Sequence, residues 1–139
     1  MRLVRLLYFS RASREMSLAD LKNILSTARS NNSEKTICGM LCYDKQYFLQ
    51  ALEGEREAVN ELYLDIADDP RHDDIVMIDY SEVPECVFPQ WQMGYATSSA
   101  EFISLLSALG QSEFMPAEMS AVQAFDFLKG MSKAQTDIE

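Results

Sequence analysis

The sequence predicts an α+β fold of ferredoxin-like plan. This is a βαββαββ mixed sheet with two helices on one face and a helical extension at the C-terminus. Three observations predict it. Apolar residues alternate with a period of two in five short segments. Between the first and second of these, and between the third and fourth, they recur at helical spacing instead. After residue 97 the alternation gives way to two short amphipathic helical patterns. The change in character divides the chain into a domain over 1–97 and an extension over 98–139.

In residues 2–10, Val4, Leu6, Tyr8 and Ser10 take one face of a strand, with Leu3, Arg5, Leu7 and Phe9 on the other. Ser17 with Asp20 three residues on resembles a capping box. Leu18, Leu21, Ile24, Leu25 and Ala28 follow at helical spacing, and the helix stops at "SNN", where Asn suits a C-terminus. "TICGMLCY" (36–43) and "QYFLQALE" (46–53) flank Asp44-Lys45 and read as a hairpin, although the turn lacks the usual glycine. A second helix follows Gly54, with Val59, Leu62 and Ile66 on one stripe, and Pro70 breaks it.

"DIVMIDYSEV" (74–83) is a fourth strand, Pro84 and Pro89 bracket a loop, and "WQMGYAT" (91–97) is a fifth strand. Beyond it, Phe102, Leu105, Leu106 and Leu109 mark one helix, capped by Ser98 with Glu101. After Gly110 and Pro116, a second helix carries Met119, Val122, Phe125 and Leu128, and the residues after about 131 are polar and expected to fray. The two C-terminal helices are expected to cover the free sheet face or to form an oligomer contact.

Composition removes several function classes. A chain of 139 residues with 47% hydrophobic and 24% charged content is an ordinary globular domain. No apolar run approaches the roughly 20 residues that cross a bilayer. The opening "MRLVRLLYFSRAS" is too often interrupted by Arg for a signal peptide. A net charge of −10 argues against nucleic acid and against anionic membranes. Cys38 and Cys42 lie roughly 13 Å apart in one strand, too far for a disulfide, so reduced thiols in a cytoplasmic protein are expected. One histidine, His72, speaks against a His-based metal centre, and no metal is expected. There is no G-x-S-x-G and no Gly-rich phosphate loop. A Ser–His–Asp triad, whose members need not be near in sequence, stays open, but the reading is of a protein that is not an enzyme.

What remains is a set of polar side chains in places that apolar residues would fill. Gln50 shares a strand face with Phe48 and Leu52, and a buried amide without partners costs about 1–3 kcal/mol, so something must hydrogen-bond it. Tyr8 shares its face with Val4 and Leu6, where packing is the plain alternative to function. Asn31 and Asn32 serve equally as a helix C-cap, and Asp69, Arg71 and His72 as a local ion pair. In this plan, however, strands one and three are central neighbours, so Tyr8 and Gln50 meet on the helix-covered face. The helix ends bring Asn31, Asn32 and Arg71 to the edges of the same space. Walls of Ile24, Leu25, Phe48 and Ile66 with a few converging amides make a small-molecule site.

At these residues the sequence resembles the BLUF family of blue-light sensors using flavin. The resemblance covers residues 1 to about 97 and rests on "LLYFSRAS" with Tyr8, "SNN", and "GMLCYDKQYFLQALEGER" with Gln50, completed by "DPRH" at 69–72 and "WQMG" with Trp91 and Met93. In length and helical tail the chain is similar to the short, stand-alone PixD-like members. The resemblance implies a non-covalently bound flavin, FAD with FMN as the alternative, lying between the two helices with Ile24 and Ile66 on either side. It implies that Asn32 pairs with the pyrimidine edge, that Asn31, Asp69 and Arg71 add polar contacts, and that Gln50 bridges Tyr8 to the ring. Leu25, Phe48 and His72 complete the implied lining.

The resemblance further implies photoinduced electron and proton transfer from Tyr8, with rearrangement of Gln50, relayed through Met93 or Trp91 to the C-terminal helices. Ala28 departs from the small hydroxyl residue of some relatives, and Asn31 is His in others. The chain is expected to end before any catalytic or DNA-binding output, so the signal would leave through a homo-oligomer or a partner such as a response regulator or transcription factor. The rival readings are a ferredoxin-like regulatory domain for another small ligand, and a hydrolase of acylphosphatase type.

Overall fold

The computed structural model describes residues 2–17, 19–24, 37–88, 93–96 and 100–134, with 93–96 and 134 as backbone. Five segments pair into one sheet: β1 (Leu3–Ala12), β2 (Cys38–Asp44), β3 (Tyr47–Glu55), β4 (His72–Glu82) and β5 (Met93–Ala96), in the order β4-β1-β3-β2-β5. All neighbours are antiparallel except β2 and β5, which run parallel. This is the ferredoxin-like order with one strand added beside β2.

Period-two alternation sends side chains to two separate cores. On one face Val4, Leu6 and Tyr8 of β1 join Leu41 and Tyr43 of β2 and Phe48 and Leu52 of β3. Against them pack α1, whose described turns span 19–24, and α2 (Arg56–Ala67), through Leu21, Ile24, Val59, Leu62 and Ile66. The capping box at α1 is present: the Ser17 N–H donates to Asp20 Oδ2 at 2.9 Å, and the Asp20 N–H donates to Ser17 Oγ at 3.1 Å.

The other face carries Leu7, Met40, Cys42, Leu49 and Ala51, and it is covered by α3 (Ala100–Ala108) and α4 (Ala121–Ala134). Of the two expectations for the tail helices, cover for the free face is therefore what the structure contains. A second capping box opens α4, with Ser120 and Gln123 exchanging bonds of 2.9 and 3.1 Å; "SAVQ" carried that signal in the sequence. Cys38, Cys42 and Cys86 are free thiols, the first two buried.

Three expectations change. The hairpin turn consists of Lys45 and Gln46 rather than Asp44-Lys45, because Asp44 still pairs with Tyr47. Lys45 stands at φ 56°, and the Gln46 N–H bonds back to the Asp44 carbonyl at 2.6 Å, so a tight γ-like turn replaces the expected glycine turn. Strand β4 begins at His72 rather than Asp74. Its register shifts opposite Phe9–Arg11, and Asp74 has φ 50°, so an irregularity admits the aspartates that normally disfavour strands. The buried face of α4 is formed by Ala124, Phe127, Leu128 and Met131, while Val122 is 69% exposed and Met119 precedes the helix. The strict i+3 series of Met119, Val122, Phe125 and Leu128 drifts around a helix of 3.6 residues per turn, whereas 124, 127, 128 and 131 hold one face.

Candidate functional site

Tyr8 and Gln50 are direct partners in the β1–β3 register. Their side chains emerge on the face covered by α1 and α2, and the Tyr8 hydroxyl donates to Gln50 Oε1. Both are buried, the tyrosine completely. Burial, reinforced by Tyr63 and Asp69, pushes the Tyr8 phenol far above its ordinary value, so it stays protonated and keeps its hydrogen to donate. Two rings stand edge-on to it: Tyr63 at 5.7 Å between centroids and His72 at 6.3 Å.

His72 opens β4 and pairs with Ala12 at the end of β1. Its Nδ1 shares a 2.7 Å hydrogen bond with Ser10 Oγ, and its ring lies 4.6 Å from that of Phe48. Burial draws its pKa down to about 4, so the imidazole is neutral at pH 7. At the rim, Arg71 grips Asp69 through Nη2–Oδ2 at 2.7 Å and Nε–Oδ1 at 3.1 Å, and its Nη1 donates to Asn23 Oδ1 of α1 at 3.1 Å. The guanidinium hydrogen bonds hold the Asp69 carboxyl below the usual carboxylate range. The ion pair thus also ties the end of α2 to α1.

The structure brings together Tyr8, Phe48, Gln50 and His72, packs Ile24 and Ile66 against the same core, and sets Asp69 and Arg71 beside it. Leu25, Ala28, Asn31, Asn32, Trp91 and Ser98 lie outside the described residues. Met93 opens β5 opposite Gly39, which itself pairs with Leu52, the next same-face position after Gln50. Ser10, Asn23 and Tyr63 also belong to this site, beyond the residues that the sequence points to. Tyr63 was available, since it stands four residues from Val59 and three from Ile66 on the stripe of α2. The Ser10–His72 bond spans 62 residues and has no local signal.

A family model for sensors of blue-light using FAD, BLUF, matches residues 3–94. The chain belongs to the BLUF family. Proteins of this family are blue-light sensors with a flavin chromophore. This BLUF chain superposes on BlsA in its photo-activated state with a TM-score of 0.83, at 34% identity and covering 91% of each chain. On the dark state of BlrB, a BLUF protein, the TM-score is 0.80, at 30% identity over 96% of this chain and 97% of that one. It is also 39% identical over 112 residues to the β subunit of photoactivated adenylate cyclase from Euglena longa, covering 78% of this chain and 13% of that protein. The chain therefore spans about an eighth of that cyclase subunit's length. No helix among the described residues is long and apolar enough to cross a membrane.

The residues present fit a flavin. Isoalloxazine has two apolar faces and an edge that alternates hydrogen-bond donors and acceptors. Ile24 and Ile66 offer apolar surface on α1 and α2, and the Gln50 amide supplies both a donor and an acceptor beneath them. The family match favours this reading over a non-photochemical ligand domain or an acylphosphatase-like hydrolase.

Proposed function

We propose that Tyr8 and Gln50 are the photoactive pair of this BLUF domain and that Ile24, Leu25, Asn31, Asn32, Phe48, Ile66, Asp69, Arg71 and His72 hold the flavin. The observation that carries the reading is the hydrogen bond from the buried Tyr8 hydroxyl to Gln50 Oε1. A bound flavin supplies, on absorbing blue light, a strong one-electron oxidant. Tyr8 is an oxidisable phenol, and loss of an electron makes its O–H strongly acidic. Gln50 already accepts that O–H, so the proton has a path that needs no diffusion. An amide that turns end for end exchanges its donor and acceptor without changing net charge. Each arrangement differs by a hydrogen bond or two, about 0.5–1.5 kcal/mol apiece, enough to shift a balanced equilibrium. Met93 or Trp91 relays the change to the C-terminal helices.

FAD is the chromophore in this reading, with FMN as the alternative; the mass of the flavin released on denaturation tells them apart. The domain is a sensor rather than a catalyst, and its signal passes through self-association or to a partner such as a response regulator or transcription factor. The helices packed on the sheet face opposite the flavin site support an output on that side. The test is Tyr8→Phe in the flavin-loaded chain. It should bind flavin and show no reversible red shift under blue light, and an unaltered photocycle would remove Tyr8 from the mechanism.

A further inference from the structure

Glu53 has no role in the flavin site. It lies on β3 three residues beyond Gln50, on the opposite sheet face, and is fully buried. Its two carboxylate oxygens are divided between two structures. Oε1 accepts the backbone N–H groups of Val87 and Phe88, each at 2.8 Å, in the segment that runs from β4 toward β5. Oε2 accepts Arg5 Nε at 2.8 Å. The Arg5 guanidinium in turn lies 4.2 Å from the centroid of the Phe125 ring on α4. Phe88 closes the circuit, its buried ring meeting Phe125 edge-on at 6.0 Å.

We propose that Glu53 is a positioning residue that couples the 87–88 segment, and through it the start of β5, to α4. This rests on the light-sensing reading above and adds the route by which the signal reaches the far face. A fully buried carboxylate must keep its hydrogen bonds, because an unpaired charge there has no water to replace them. Val87 and Phe88 stand six and five residues before Met93, and in this proposal a light-driven displacement of the chain entering β5 acts on both N–H groups. Oε1 cannot follow them without moving Oε2 away from Arg5. Arg5 then shifts against Phe125, while Phe88 presses on the same ring directly. Two contacts from one segment converge on one side chain of α4.

The experiment is hydrogen exchange of α4 amides in the flavin-loaded full chain, dark and under blue light, with absorbance recorded on the same samples. Glu53→Gln keeps an oxygen for the two N–H groups but turns an NH2 toward Arg5, donor against donor. Phe125→Leu keeps apolar bulk at the half-buried end of the route. Both variants are expected to retain the flavin red shift and to lose the light-minus-dark difference in α4, which a merely structural role would not remove. The coupling is overturned if either red-shifting variant keeps the wild-type difference, or if the red-shifting wild type has none. Should Glu53→Gln not take up flavin, Phe125→Leu decides alone. A flavin-loaded wild type without a red shift removes the light reading, and this inference with it.

Discussion

Tyr8 and Gln50 occupy the same rung of the β1–β3 ladder, and the phenol of the first donates to the amide oxygen of the second inside a buried core. Replacing Gln50 with Leu preserves bulk but leaves that phenol without its acceptor. The variant is expected to lose about 1–3 kcal/mol of stability, read from the denaturant midpoint, together with the reversible red shift. A normal shift in Gln50→Leu would remove the amide from the photochemistry.

Arg71 separates two explanations of its own presence. The Asp69–Arg71 pair is only about a quarter exposed, and Arg71 also donates to Asn23 on α1, so losing the guanidinium leaves partly buried acceptors without a donor at a cost of about 1–3 kcal/mol. Arg71→Gln should therefore lower the unfolding midpoint measurably. If the pair serves the flavin, the same variant binds flavin more weakly in a fluorescence titration. Unchanged affinity would return Arg71 to a local structural role.

His72 makes stability depend on pH in a definite direction. Its folded-state pKa of about 4 lies below the ordinary 6.5. Above 6.5 neither state binds the proton and the contribution is flat. Between about 6.5 and about 4 the unfolded chain takes up a proton that the folded chain refuses, so stability falls as the solution is acidified. Denaturant midpoints at pH 7 and pH 5 should show this fall in the flavin-free chain. Its size should shrink in His72→Asn, which does not titrate and can still bond Ser10.

Gly130 sits where α4 crosses α3: a Cβ there would lie 2.9 Å from both Leu105 methyl carbons. Those atoms end a flexible, partly buried side chain that can turn aside. Gly130→Ala gains about 1 kcal/mol of helix propensity against that displacement and should be near neutral. Gly130→Val crowds the crossing further and should cost about 1–3 kcal/mol in chemical denaturation.

The pairing of Tyr8 with Gln50 was legible because two regularities suffice for it, side-chain alternation and the central place of the first and third strands. The same alternation marked Phe48 and Leu52 as one face, and helical spacing marked Leu21, Ile24, Val59, Leu62 and Ile66 as its cover. The buried face of α4 departs from the i+3 series because residues three apart drift around a helix, carrying Val122 into solvent. Glu53 was unreadable for another reason. Alternation treats a charge at a strand end as solvent-facing, and its partners stand 48, 34 and 35 residues away. Ser10 with His72 is the same case: nothing local announces a bond between distant residues.

Among the described residues, strand β4 pairs with β1 along one side, and its other side is a border of the sheet. Val76, Met77 and Tyr80 are more than 40% exposed on this strand, a pattern that invites another chain to add a strand of its own. Asp73, Asp74, Asp79 and Glu82 stand among them, and the register is broken opposite Phe9–Arg11. Four carboxylates and an irregular backbone are poor templates for a growing fibril. The charge of the chain thus also falls where two copies would meet edge to edge, and like charges facing each other across such a border oppose the pairing.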